Sequence, residues 1–153
     1  ALQSCMGYRP FADVPVGDTI DCGTASGNRD EILEYGAPYD PVDIHSDAAA
    51  ATETPFGDVI ASGIHTFALT QPPVVEHFYA NSDLVAAGHI KELRLPAPVR
   101  PGDTLAVSLD VVDKRTSVAS DGRGVVTTRR TATVDGETVF EMQNDSVWSV
   151  HEE

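Results

Sequence analysis

Cysteine, lysine and long apolar runs are all scarce in this chain, and each scarcity excludes something. Only Cys5 and Cys22 occur among the 153 residues, too few for a disulfide framework or a cysteine-based metal centre. The five histidines are scattered and form no His-Glu-x-x-His pair, so no metal is expected. No stretch approaches the roughly 20 apolar residues of a membrane-spanning helix, and nothing near the start reads as a secretory signal. A soluble, cytoplasmic protein is the expectation. Lysine appears only as Lys91 and Lys114, and 10 basic residues face 24 acidic ones for a net charge of −14. Such a field repels phosphate backbones, which argues against nucleic acid and anionic membranes as partners. Acidic excess with little lysine suits a salt-loving cell and equally a GC-rich genome that favours arginine.

The chain also lacks internal repeats, low-complexity tracts and linkers, so a second domain has nothing to rest on. Its 41% apolar content is that of a folded protein. One domain over residues 7–153 is expected, with 1–6 set aside as a leader. Ser26 or Asn28 can cap a helix from Asp30 to about Ala37. A second apolar helix begins after Ser62, and Pro72-Pro73 predict its division into Gly63–Gln71 and roughly Pro73–Ala80. His89 to Leu95 reads as a strand. Thr104 to Asp113, Gly124 to Val134 and Thr138 to Val150 alternate as longer strands, the last two joined by a tight Asp135-Gly136 turn. Ser117 to Arg123 reads as a polar hairpin tip.

Two elements carry chemistry. Tyr39-Asp40-Pro41-Val42-Asp43-Ile44-His45 sets a carboxylate and an imidazole five positions apart on chain that can curve, and together such groups can hold and activate one water molecule near neutral pH. The plainer reading is a turn at Asp40-Pro41 and an incidental loop histidine. Ser62-Gly63 opens the apolar helix, with backbone N–H groups suited to an oxygen acquiring negative charge and a glycine that allows close approach. An ordinary serine cap is the plainer reading there.

The order Tyr-Asp-Pro-x-x-Ile-His-x-Asp, then Thr54-Pro55-Phe56-Gly57-Asp58-Val59-Ile60-Ala61-Ser62-Gly63, then Pro98-Val99-Arg100-Pro101-Gly102-Asp103-Thr104-Leu105 resembles the MaoC-like dehydratases, which include (R)-specific enoyl-CoA hydratases. The resemblance runs from Phe11 to Trp148. It implies an α+β hot-dog fold, in which an antiparallel sheet wraps around a long central helix, commonly as a homodimer or dimer of dimers. It implies that Asp40 and His45 activate a water for addition across a 2-enoyl thioester. It further implies that Gly63 offers its N–H to the thioester carbonyl and that Ser62 lines the pocket. The substrate is expected to be an acyl-CoA, with coenzyme A as part of the substrate and no separate cofactor.

Around these residues, Lys91, Arg94 and Arg100 are candidates to bind the coenzyme A phosphates. His65, in the first turn of the helix, can reach the substrate, although a hydrogen-bonded core histidine is the stronger reading. Two other functions compete. A hot-dog thioesterase needs a carboxylate on or beside the central helix, for which only Glu76 and Asp58 qualify. A noncatalytic acyl-binding protein would tolerate loss of Asp40 or His45, and both are present.

The charge generates a prediction about assembly. Two protomers of net −14 repel at low ionic strength, and the Debye length falls from about 30 Å at 0.01 M salt to about 3 Å at 1 M. Light scattering and activity followed together across that range should show a dimer strengthened by salt. Dissociation on adding salt would mean that opposite charges hold the subunits, and an active monomer at every salt concentration would remove the dimer.

Overall fold

Residues 7–116 and 122–151 are described in a computed structural model; the leader 1–6 and residues 117–121 of the expected hairpin tip fall outside them. Five strands, β1 (Thr19–Ser26), β2 (Leu84–Arg94), β3 (Thr104–Thr116), β4 (Arg123–Val134) and β5 (Glu137–Ser149), form one antiparallel sheet in the order β1-β3-β4-β5-β2. Alternation along β3 turns Leu105, Val107, Leu109 and Val111 inward, each 2% exposed or less. Val126 and Ala132 of β4 and Phe140, Met142 and Trp148 of β5 extend the same apolar face. The β4–β5 turn is the expected tight one, with Asp135 and Gly136 both at positive φ, 49° and 83°.

That concave face is filled by α4 (Gly63–Val74), whose inner side buries Thr66, Thr70, Pro73 and Val74. Phe67 meets Phe140 edge to face at 5.7 Å. The fold is therefore α+β, a sheet wrapped around one helix. The proline pair does not divide that helix. α4 runs through Pro72 and Pro73 and continues as a π-helical turn, Val75–Tyr79, closed by Ala80 N–H donating to the Val75 carbonyl at 2.7 Å. Two missing N–H groups cost α-helical bonds, and the helix responds by widening. Packing offsets the loss: Val74 and Phe78 are fully buried, and Phe78 lies 5.6 Å from the Trp148 ring.

Three short helices precede α4: α1 (Arg29–Tyr39), α2 (Asp43–Ser46) and α3 (Ala48–Ala51). Of the two expected caps of α1, Asn28 is used, its side chain accepting from Glu31 N–H at 2.9 Å. Asp47 caps α3 by accepting from Ala50 N–H at 3.0 Å. α2 folds back on the last turn of α1 so closely that a Cβ on Gly36 would lie 2.0 Å from the His45 carbonyl oxygen. β2, longer than the strand expected, is an edge strand and is exposed along most of its length, with Val85 and Ile90 about half accessible. No helix among the described residues is long and apolar enough to cross a membrane.

The contact at Gly36 is with backbone, which cannot rotate away. Gly36→Ala should destabilise the fold by about 1–3 kcal/mol, the usual range for overpacking, and should displace the segment carrying His45. Urea denaturation checks it; a variant of unchanged midpoint would mean that α2 moves freely on α1.

Candidate active site

Proline sets the position of the carboxylate. The residue before a proline is driven out of the helical region, and α1 stops there: Asp40, at φ −153° and ψ 69°, is its C-cap, with its N–H donating to the Gly36 carbonyl at 2.9 Å. Val42 N–H then donates to the Asp40 carbonyl at 2.8 Å, a tight reversal that starts α2. Five residues after Asp40 the chain has turned back, and His45 Nε2 lies 3.6 Å from Asp40 Oδ2.

The imidazole is oriented from its other side. His45 Nδ1 is 2.8 Å from the Ile60 carbonyl oxygen, and a carbonyl only accepts, so Nδ1 carries the hydrogen and the neutral ring has its lone pair on Nε2. Ile60 is itself fixed, its N–H donating to the Ile44 carbonyl at 3.1 Å, while the Ala61 N–H donates to the Val99 carbonyl at 2.9 Å. At 3.6 Å the carboxylate and the ring nitrogen are too far apart for a good direct hydrogen bond and suitably spaced to address one water. The two side chains keep partial access to solvent, 31% for Asp40 and 13% for His45.

Ser62 stands at the N-cap of α4 but does not cap it. Its hydroxyl donates instead to Asp40 Oδ2 at 2.5 Å, from a position only 1% exposed. The serine therefore ties the start of the central helix to the end of α1. Gly63 follows, where the first N–H groups of a helix have no acceptor within it. A Cβ at Gly63 would come within 2.3 Å of Leu95 Cδ1, so a larger residue would push that side chain into the space beside His45. His45, Ile60, Gly63, Thr66, Leu95 and Val99 are among the residues around a pocket of about 380 Å³.

Sequence reasoning thus identified four residues that converge: Asp40, His45, Ser62 and Gly63. Three others do not join them. Lys91 bonds Asp145 at 3.3 Å and Arg94 bonds Glu92 at 2.5 Å, and both lie on the outer face of the sheet, because a register shift between Ile90 and Glu92 leaves Ile90 and Leu93 opposite the inward Asn144 and Met142 and sets Arg94 opposite Glu141. His65 is 6% exposed and stacks on Tyr35 at 4.4 Å, in a groove on the β1 side of α4. It is a core histidine, held by stacking, and its Nδ1 has no hydrogen-bond partner.

Of the basic candidates, Arg100 is the one beside the pocket, donating to the Phe56 carbonyl at 3.0 Å. Of the two thioesterase candidates, Asp58 is clamped by Arg29, whose hydrogen bonds hold its carboxyl below the usual range. Glu76 lies 13 residues beyond Gly63, about 20 Å along the helix, and borders the β1-side groove. No group of three or more potential metal ligands occurs among the described residues. The buried Arg130 was missed; its neighbours Thr127–Arg129 offer no motif, and only the register of β4 turns it inward.

A family model described as MaoC like domain matches residues 12–135. The structure is similar to the MaoC-like dehydratase from Rhodospirillum rubrum, with 29% identity and a TM-score of 0.82 over 94% of this chain and 98% of that one. It is similar also to the unliganded R-hydratase PhaJ1 from Pseudomonas aeruginosa, with 25% identity and a TM-score of 0.71 over 95% of this chain and 88% of that one. An uncharacterized protein of Bacillus subtilis strain 168, YdeM, is 27% identical over 100 residues, 65% of this chain and 71% of its own.

His65 supplies a pH dependence. Burial lowers its pKa from 6.5, against a smaller opposing effect of Glu31. A depressed folded-state value means that the unfolded chain binds the proton more readily, so this contribution to stability is present above about pH 6.5 and is lost as pH falls toward the lowered value. The urea midpoint should drop between pH 7 and pH 5, and His65→Gln should flatten that drop. An equal drop in the variant would assign it to other groups.

Proposed function

The chain belongs to the MaoC-like domain family, and we propose that it is a hydro-lyase reversibly adding water to a 2-enoyl thioester, with coenzyme A as the carrier. The observation that carries this reading is the pairing of Asp40 Oδ2 with a His45 Nε2 whose lone pair is directed by the Nδ1–H bond to Ile60. Water held between them is activated without a metal. As its oxygen bonds to C3, His45 Nε2 takes a proton, electron density moves onto the thioester oxygen, and the imidazolium returns the proton to C2. Hydroxyl and hydrogen are added and the C–S bond stays intact. Asp40 accepts the water's other hydrogen bond and stabilises the imidazolium.

The thioester oxygen is received at the start of α4, where the Gly63 N–H donates and the helix dipole favours developing negative charge. Ser62 acts through Asp40 and is a positioning residue. Arg100, at the pocket rim, is the cation available to a coenzyme A phosphate. The exposed β2 edge is where a second copy would extend the sheet and cover its apolar residues. The engagement of Asp58 with Arg29 and the distance of Glu76 from Gly63 argue against the thioesterase alternative.

Asp40→Asn and His45→Gln should each lower hydration of crotonyl-CoA, followed by loss of enoyl absorbance, by on the order of 100-fold or more. Gly63→Val should do about the same if its N–H meets the oxyanion, and Ser62→Ala should cost roughly tenfold in kcat. Folded Asp40 and His45 variants that hydrate at the wild-type rate would remove the reading.

A further inference from the structure

Arg130 is 2% exposed, and its immediate partners are neutral. Its Nη1 donates to Thr70 Oγ1 at 3.0 Å and Gln71 Oε1 at 2.8 Å, Tyr79 lines the same cavity, and Nε has no partner. The Phe67 ring lies 5.6 Å away. Arg29, Lys91, Arg94 and Arg115 each hold a carboxylate, whereas among the described residues none pairs with Arg130. Nor does Cys22 balance it, since burial pushes that thiol up to about 11. An unpaired buried charge is costly, so it calls for a function.

Arg130 also stands on a cavity wall. Phe67, Gln71, Tyr79, Ile90, Arg130 and Met142 are among the residues around a space of about 300 Å³ between α4 and the β2 edge. The pocket holding His45 and Gly63 lies on this same flank, walled by Leu95 just past the end of β2. Phe67 and Gln71 are four and eight residues after Gly63, about 6 and 12 Å along the helix, so an acyl chain whose carbonyl sits at Gly63 and which follows the flank ends, when short, beside the guanidinium.

We propose that Arg130 is a specificity-determining residue and that the enzyme acts on short enoyl thioesters whose far end carries a carboxylate. The inference rests on the hydratase reading above. A carboxylate there would supply the missing counter-charge and accept charge-assisted hydrogen bonds in a site closed to water, whereas a methyl end would leave the cation buried and unpaired.

The experiment compares two eight-carbon trans-2-enoyl-CoA substrates, one ending in a methyl group and one in a carboxylate, and measures calorimetric binding of the corresponding saturated thioesters, which cannot react. Wild type should favour the carboxylate by roughly 10- to 100-fold in kcat/KM and in affinity. Arg130→Met should reverse the preference, and Arg130→Lys should retain part of it. Hydration that favours the methyl-ended substrate in wild type would overturn this inference alone, with no variant required. Failure to hydrate either substrate would overturn the hydratase reading and this one with it.

Discussion

Burial of one apolar helix inside one curved sheet is the constraint on which everything at the site depends. α4 fills the inner face of β3, β4 and β5, and its first turn is thereby fixed relative to the segments around it. Ser62, held there at 1% exposure, can reach Asp40 only because α1 ends where Pro41 forces it to. Ile60, two residues earlier, presents its carbonyl to His45 because its own N–H is bound to Ile44. Core packing, a proline and two backbone hydrogen bonds thus select a single tautomer of one histidine. The chemistry requires no strained residue, since neither Asp40 nor His45 has a positive φ.

Charge is distributed with the opposite logic inside and out. The surface carries a large acidic excess, and the exposed Arg29, Arg94 and Arg115 are each taken up by a neighbouring carboxylate. The most buried cation is left among neutral oxygens. The chain has 24 acidic residues, yet the side chains that bond Arg130 are a threonine and a glutamine. Neutral acceptors hold the guanidinium in place without cancelling its charge.

Most of this was legible in the sequence where the signal was local. Alternation announced β3, β4 and β5 and Asp135-Gly136 the β4–β5 hairpin, whereas the spacing of Asp40, His45, Ser62 and Gly63 favoured a turn and a serine cap, and it was the resemblance to the MaoC-like dehydratases that marked the four as a site. What was not legible is long-range. Lys91 and Arg94 look available in a string, and only the pairing of β2 with β5 turns them to the outer face, where Asp145 and Glu92 engage them. His65 follows Gly63 by two positions, which on a helix is more than half a turn, so it faces the β1 side and Tyr35. Arg130 was invisible because β4 carries arginine at two successive positions, 129 and 130, and no local rule says which one faces inward.

The proline pair illustrates how a local rule can be right about cost and wrong about form. In an α-helix, residues four apart drift by about 40° per step, so Phe67, Gln71 and Val75 progressively rotate away from the flank they share, and Tyr79 would leave it. The π-helical turn over Val75–Tyr79 has more residues per turn and reverses that drift. Phe67, Gln71, Val75 and Tyr79 consequently all line the same cavity. The lost hydrogen bonds at Pro72 and Pro73 loosen the helix at the point where a change of phase lets its last turn keep facing Arg130. What reads in the sequence as an interruption of the central helix is, in the folded chain, the means by which that helix walls this cavity to its end.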